Sequence, residues 1–208
     1  VYKRQVTDGI PEEKLLTPQE EFEGHHDPHV WGDPGLWADT IPVVVKGLTA
    51  IDPSGKEYFE ERGRAYVEEL QALKTWALNR IAEVPEDKRL LVTSHDAFFY
   101  FGQAFGFEVR GLQGVSTVSE AGLRDRKDLV DYIKARGIRT IFPESSVNPK
   151  AIEAVAKEAG VAASGEELFS DAMGKVGDGV TLHGETYDKG SYIGMVKHNV
   201  NSIVDGLK

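Results

Sequence analysis

The sequence predicts an α/β protein built on parallel strands. Three observations point there. After Pro85 short apolar runs alternate with amphipathic segments of 10–14 residues, the pattern of βαβ units. Several of those segments stop at a glycine, the usual helix terminator. Before Pro85 a single long amphipathic stretch stands apart from this rhythm.

The elements follow in order. Residues 1–24 are polar and Glu-rich and read as loop. Asp33 followed by Pro34 reads as an N-cap with proline at the first helical position, opening a helix through "GLWADTIPVVVKGLTAI" that Pro42 should kink or break. Between Gly55 and Val84, Phe59, Tyr66, Leu70, Leu73, Ala77 and Ile81 fall at spacings of three, four and seven, with charges on the other face. A helix of about 26 residues would be about 39 Å long at 1.5 Å per residue. Strands are expected at 89–94, 107–115, 138–144 and 161–168. Helices are expected at 97–106, 124–137, 148–160 (Asn148 as cap, Gly160 as stop) and 189–207. The Gly177–Gly190 stretch reads as a glycine-rich polar loop.

Composition narrows the chemistry. The 208 residues carry a formal net charge of −10, which argues against a nucleic-acid backbone or an anionic membrane surface as the main partner. No run approaches the length of a membrane span. There is no cysteine, so thiolate metal sites, disulfides and cysteine nucleophiles are excluded. The opening "VYKRQVTDGIPEEK" shows no apolar signal-peptide core. Walker, GxSxG and HExxH motifs are absent.

The side chains that remain are imidazoles and carboxylates, a set that suits Zn²⁺, Mn²⁺ or Fe²⁺. His25, His26 and His29 share one loop with two Asp-Pro pairs, and Pro28 disfavours a helix that would stack His25 on His29. That loop can equally be an exposed polar turn. His95 follows a predicted parallel strand, where α/β folds place ligands; a half-buried structural histidine is the alternative. Asp171 also follows a strand, and alone it would read as a turn aspartate. His183 and His198 have weaker cases. Glu120 and Glu144 lie near strand ends and would be the candidate general bases of a metal-dependent hydrolase.

Read together, "HHDPHVWGDP", "LVTSHDAFFYFGQAFGFEVRGLQGVSTVSEAG", "IFPESSVNPK", "ELFSDAMG" and "GSYIGMVKHNV" resemble the metal-specific solute-binding proteins of ABC transporters, from about Gly24 to the C-terminus. The resemblance implies two (β/α) lobes joined by one rigid helix, with a metal held between them by four protein ligands. It makes residues 1–54 the remnant of an N-terminal lobe that is largely missing, 55–84 the linker helix and 85–208 the C-terminal lobe. His29, His95 and Asp171 take the ligand positions of the family motifs, with His25 and His26 as neighbours at the rim. The family's first ligand, an upstream histidine, has no counterpart here, so the chain is expected to be a fragment. Apolar surface at Trp31, Trp37 and Val43–Val45 should then be exposed.

What the family does sets the functional expectation. The resemblance implies that the protein is not an enzyme but a monomeric carrier that would capture zinc or manganese, with iron as a third cargo, and pass it to an ABC permease. Its place would be periplasmic or extracellular, with a lipid anchor upstream. Histidine at position 95 and aspartate at 171, without a His-rich loop, is the combination of members that take both zinc and manganese. A zinc-dependent hydrolase and an adhesin-type interaction protein are the alternatives.

Overall fold

The structure, a computed structural model, describes residues 5–17, 25–117 and 121–208. In the first of these stretches the expected loop contains two single 3₁₀ turns, Val6–Gly9 and Glu12–Lys14. Glu120 lies outside the described residues.

Helix α1 spans Pro34–Ile51 and helix α2 spans Lys56–Ile81. The N-cap of α1 is Asp33, whose Oδ1 accepts from Gly35 N at 2.7 Å. Its carboxylate also lies 2.9 Å from Lys74 Nζ, tying the start of α1 to the middle of α2. Pro42 was expected to kink or break α1; it does not break it, and the helix continues through the proline. Ile41 and Val45, on either side of that proline, pack against Gly63 of α2, where an added Cβ would sit 2.6 Å from Val45 Cγ2. Packing of an amphipathic face outweighs one lost backbone hydrogen bond.

The parallel strands and their helices follow. β1 (Leu90–His95) pairs in parallel with β2 (Glu108–Gln113), across helix α3 (Phe99–Phe105). Helix α4 (Leu123–Arg136) leads to β3 (Thr140–Ile141), which pairs in parallel with β4 (Ala162–Ala163) across helix α5 (Lys150–Ala159). A parallel bridge from Thr93 to Phe142 sets β3 beside β1, giving the order β2-β1-β3-β4, and another joins Glu144 to Leu168. Helices α3, α4 and α5 end at Gly106, Gly137 and Gly160 as their sequences predict.

Two expected strands are shorter than their apolar runs. Pro143 has no N–H to continue the β3 ladder. Beyond β4, Ser164 Oγ bonds locally to the carbonyl and amide of Glu166, diverting the backbone from the sheet. The stretch read as a glycine-rich loop holds an antiparallel hairpin, β5 (Gly179–Leu182) and β6 (Glu185–Asp188). Its two-residue turn, His183-Gly184, has positive φ at both positions (51° and 81°), as a type I′ turn requires. Helix α6 (Tyr192–Leu207) closes the chain, with Ser191 Oγ capping Gly194 N.

An apolar core joins α2, β1, α3 and α6, while a separate cluster with Leu129, Ile133, Ile141 and Ile152 lies under α4 and α5. The first takes Leu70, Leu73, Ala77 and Ile81 from α2, Leu91 from β1, Phe101 and Phe105 from α3, and Val200, Ile203 and Val204 from α6. Trp31 and Trp37 were expected to be exposed, but both pack against this core. Trp37 stacks on Tyr192 of α6 with ring centroids 5.7 Å apart. Val44 alone of Val43–Val45 is exposed. Leu70 is fully buried, so Leu70→Ala should destabilise the chain by about 2–5 kcal/mol through lost contacts and the cavity left behind. Urea unfolding of the variant beside the parent checks this.

Candidate metal centre

His29, His95 and Asp171 come together at the carboxyl ends of the parallel strands. One donor atom from each lies within 4.8 Å of the other two, and this is the one such group found among the described residues. Asp171 Oδ1 is 3.4 Å from Nε2 of His29 and 3.4 Å from Nε2 of His95. An ion bonded tetrahedrally to N and O donors at about 2.0–2.1 Å would space them by about 3.4 Å.

The two imidazoles are held in the same way. Asp27 Oδ1 accepts from the His29 backbone N–H at 2.9 Å and lies 2.7 Å from His29 Nδ1. Glu144 Oε1 accepts from the His95 backbone N–H at 2.8 Å, and its Oε2 lies 2.6 Å from His95 Nδ1. A carboxylate behind Nδ1 directs Nε2 into the site and makes it more basic, which suits a metal-bound imidazole. His95 Nδ1 and Nε2 and Glu144 Oε2 are all buried without a hydrogen bond of good geometry, and of these Nε2 faces Asp171.

The supports reach back into the fold. His95 is the last residue of β1, and Glu144 stands at the bridge to Leu168. Gly111 of β2 backs onto His95: a Cβ there would lie 2.5 Å from the His95 carbonyl carbon. On the other side, the buried Tyr100 hydroxyl donates to the Asp27 carbonyl at 3.0 Å and accepts from Leu16 N at 2.9 Å. Trp31 packs edge-on against His29, with ring centroids 5.3 Å apart, and its indole N–H donates to the Ser170 carbonyl at 2.8 Å.

Charge sets the proton occupancy of this cluster. Burial opposes protonation of His95, but Asp171 and Glu144 more than offset it and push the pKa up to about 9. For His29, burial again works downward, and Asp171 and Asp27 carry the net shift upward. Asp171, between two imidazoles, is held well below the usual carboxylate range by His29 first and His95 next. Without metal these directions favour an ion triad, two protonated imidazoles flanking an ionised carboxylate.

The other candidates separate from this site. Asp27 is buried at the back of His29, and His25 is exposed. His183 sits at the hairpin tip, with Nε2 2.9 Å from Asp205 Oδ2 and 2.9 Å from Arg80. His198 is buried, and its Nε2 donates to the Glu167 carbonyl at 2.9 Å. Burial, the largest influence, lowers its pKa and keeps it neutral. Glu144, read from the sequence as a candidate general base, instead backs His95, with Oε1 accepting from its backbone N–H and Oε2 in ion-pair distance of Nδ1. Its part in orienting the imidazole was missed because 49 residues separate the two. Glu144→Gln should weaken Zn²⁺ binding by roughly 10–100-fold, the usual cost of losing such a support; competition against a chromogenic chelator measures it.

Comparison with known proteins identifies the family. Residues 2–206 match the family model described as ZnuA, zinc-uptake complex component A, periplasmic. The manganese-binding lipoprotein MntA of Bacillus subtilis is 41% identical over 207 residues, covering 98% of this chain and 64% of its own length. The zinc-binding protein TroA of Treponema pallidum is 41% identical over 207 residues, covering 97% of this chain and 63% of its own. The solved TroA structure superposes with a TM-score of 0.88 at 39% identity, over 97% of this chain and 70% of that one. The Fe(III)-bound YtgA of Chlamydia trachomatis gives a TM-score of 0.78 at 25% identity, over 93% of this chain and 66% of that one. The chain thus spans a little under two thirds of the length of the curated relatives it matches.

Proposed function

The chain belongs to the ZnuA family of periplasmic zinc-uptake components, and on that premise we propose that it is the metal-holding part of a solute-binding protein that captures a divalent transition metal outside the cytoplasm and delivers it to an ABC permease. The observation that carries the reading is the convergence of His29 Nε2, His95 Nε2 and Asp171 on one point, with a carboxylate behind each imidazole. His29, His95 and Asp171 are the ligands. Residues 1–54, 55–84 and 85–208 are the N-terminal portion, the linking helix and the C-terminal lobe of the carrier.

The cargo is zinc or manganese, the metals in the names of MntA and TroA, with iron as in YtgA. Two nitrogens and one oxygen favour Zn²⁺ over Mn²⁺ in intrinsic affinity, so zinc is the ion expected to fill the site from an equal mixture. Hydrolysis is a poorer fit. It needs a free base beside the metal, and Glu144 is fully buried behind His95, with Oε1 on its backbone N–H and Oε2 against its ring nitrogen Nδ1. Among the described residues no helix is long and apolar enough to cross a membrane. A lipid anchor is proposed by analogy with the relatives named lipoproteins.

The test is metal content by mass spectrometry after equilibration with equimolar Zn²⁺ and Mn²⁺, for the parent chain and His95→Ala. About one zinc per parent chain and none in the variant is the expected result. A parent chain that leaves the column metal-free would overturn the reading.

A further inference from the structure

The backbone leading to Asp171 is held residue by residue. The Glu167 carbonyl accepts from His198. Leu168 donates to the Pro143 carbonyl and accepts from Ser145 N, both at 2.9 Å. Phe169 is held on both sides by one side chain: its N–H donates to Asn199 Oδ1 at 2.9 Å, and its carbonyl accepts from Asn199 Nδ2 at 2.7 Å. The Ser170 carbonyl accepts from Trp31. Asp171 itself has less support, a 3.3 Å contact from its N–H to Ser146 Oγ, and its side chain is 35% exposed while both imidazoles are nearly inaccessible.

Asn199 is the unexpected member of this set. It lies on the buried face of α6, 6% exposed, where an apolar residue would fill the same space without desolvating an amide. Its amide instead presents an acceptor to the N–H and a donor to the carbonyl of a single residue, as a neighbouring strand would, outside the strands described above. The two bonds fix Phe169 two residues before the metal-facing carboxylate.

We propose that Asn199 is a positioning residue for the metal site: its clamp on Phe169 holds Asp171 at the distance from His29 and His95 that a shared ion needs. This deepens the metal-capture reading and rests on it. Replacing Asn199 should therefore act through Asp171 rather than through the fold at large. Asn201, also a buried asparagine of α6, bonds Arg80 and Tyr187 and does not touch the Asp171 segment, so it is the matched control.

The experiment loads the chain with Co²⁺, whose visible absorption reports its ligands, and compares the parent with Asn199→Leu, Asn201→Leu, Asp171→Ala and the Asn199→Leu/Asp171→Ala double variant. Asn199→Leu should weaken binding by about 10–100-fold and shift the spectrum to that of Asp171→Ala. The double variant should bind within about twofold of Asp171→Ala alone, because both changes remove the same interaction. Asn201→Leu should keep the parent spectrum. Should Asn199→Leu fail to fold by circular dichroism, Asn199→Asp, which keeps the acceptor and loses the donor, carries the same comparison. A parent chain that takes up no Co²⁺ sinks the capture reading, and this one with it. A parent that binds, with Asp171→Ala altered and the Asn199 variant spectrally unchanged or additive with it, overturns the positioning role alone.

Discussion

His95→Ala and Asp171→Ala each lower Zn²⁺ affinity by more than about 100-fold, the upper end of what loss of a mere supporting residue costs. The expectation rests on the donor count. With three converging atoms, removing one leaves two, and the ion must complete its shell with water. The two variants differ in what they leave behind. His95→Ala strands the buried Glu144 without its imidazole, so it should lower thermal stability as well as affinity. Asp171→Ala removes a partly exposed group and should spare the fold more. His183→Ala is the control: that imidazole belongs to the hairpin tip, and its loss should leave zinc binding unchanged. Isothermal titration calorimetry of the three variants decides the matter, and parent-like affinity in Asp171→Ala would remove the carboxylate from the ligand set.

Proton competition reaches well above neutrality. A metal needs both Nε2 lone pairs, so each imidazole that is protonated in the free chain must release its proton. Histidine titrating near its ordinary 6.5 would leave the affinity flat above pH 7. Because His95 titrates at about 9 in the metal-free chain, affinity should keep rising up to about that pH. Below it the loss is roughly tenfold per pH unit for His95, and steeper where His29 is protonated as well. Stability of the metal-free chain runs the other way. The folded pKa of His95 is raised, so its ion triad contributes fully below about 6.5 and is lost as pH rises through about 9. Thermal midpoints between pH 6.5 and 9 should therefore fall without zinc, while the increment from saturating zinc grows. A zinc affinity equal at pH 7 and pH 9 contradicts the linkage.

Much of this was legible in the chain because helices announce themselves locally. The 3–4 spacing of Leu70, Leu73, Ala77 and Ile81, the Asp33-Pro34 start and the glycine stops are all short-range signals, and α2 spans 56–81 within the expected 55–84. Signals that depend on distant partners were not legible. The residues alone left His25, His26 and His29 level, and the family resemblance singled out His29. What distinguishes His29 in space is Asp27 behind its ring and Tyr100, 73 positions along the chain from Asp27, holding that loop. Trp31 and Trp37 looked like surface bared by a missing lobe, but Ser170 and Tyr192 cover them from the far end of the sequence. The hairpin escaped notice because its strands are four residues each and its turn uses His183 where asparagine or aspartate is the usual signal.

Gly111 places a limit on how this protein can drift over evolutionary time. Strand β2 carries no metal ligand, so its residues look free to change. Yet at 111 the neighbouring strand passes so close behind His95 that even a methyl group would meet its carbonyl carbon at 2.5 Å and the next amide nitrogen at 2.7 Å. The exposed and half-buried residues of the strand can exchange one side chain for another, but this position has no volume to exchange. Lineages that keep the His95 site should hold glycine there while the flanking strand residues vary, and any line that loses it should have rebuilt or abandoned the site.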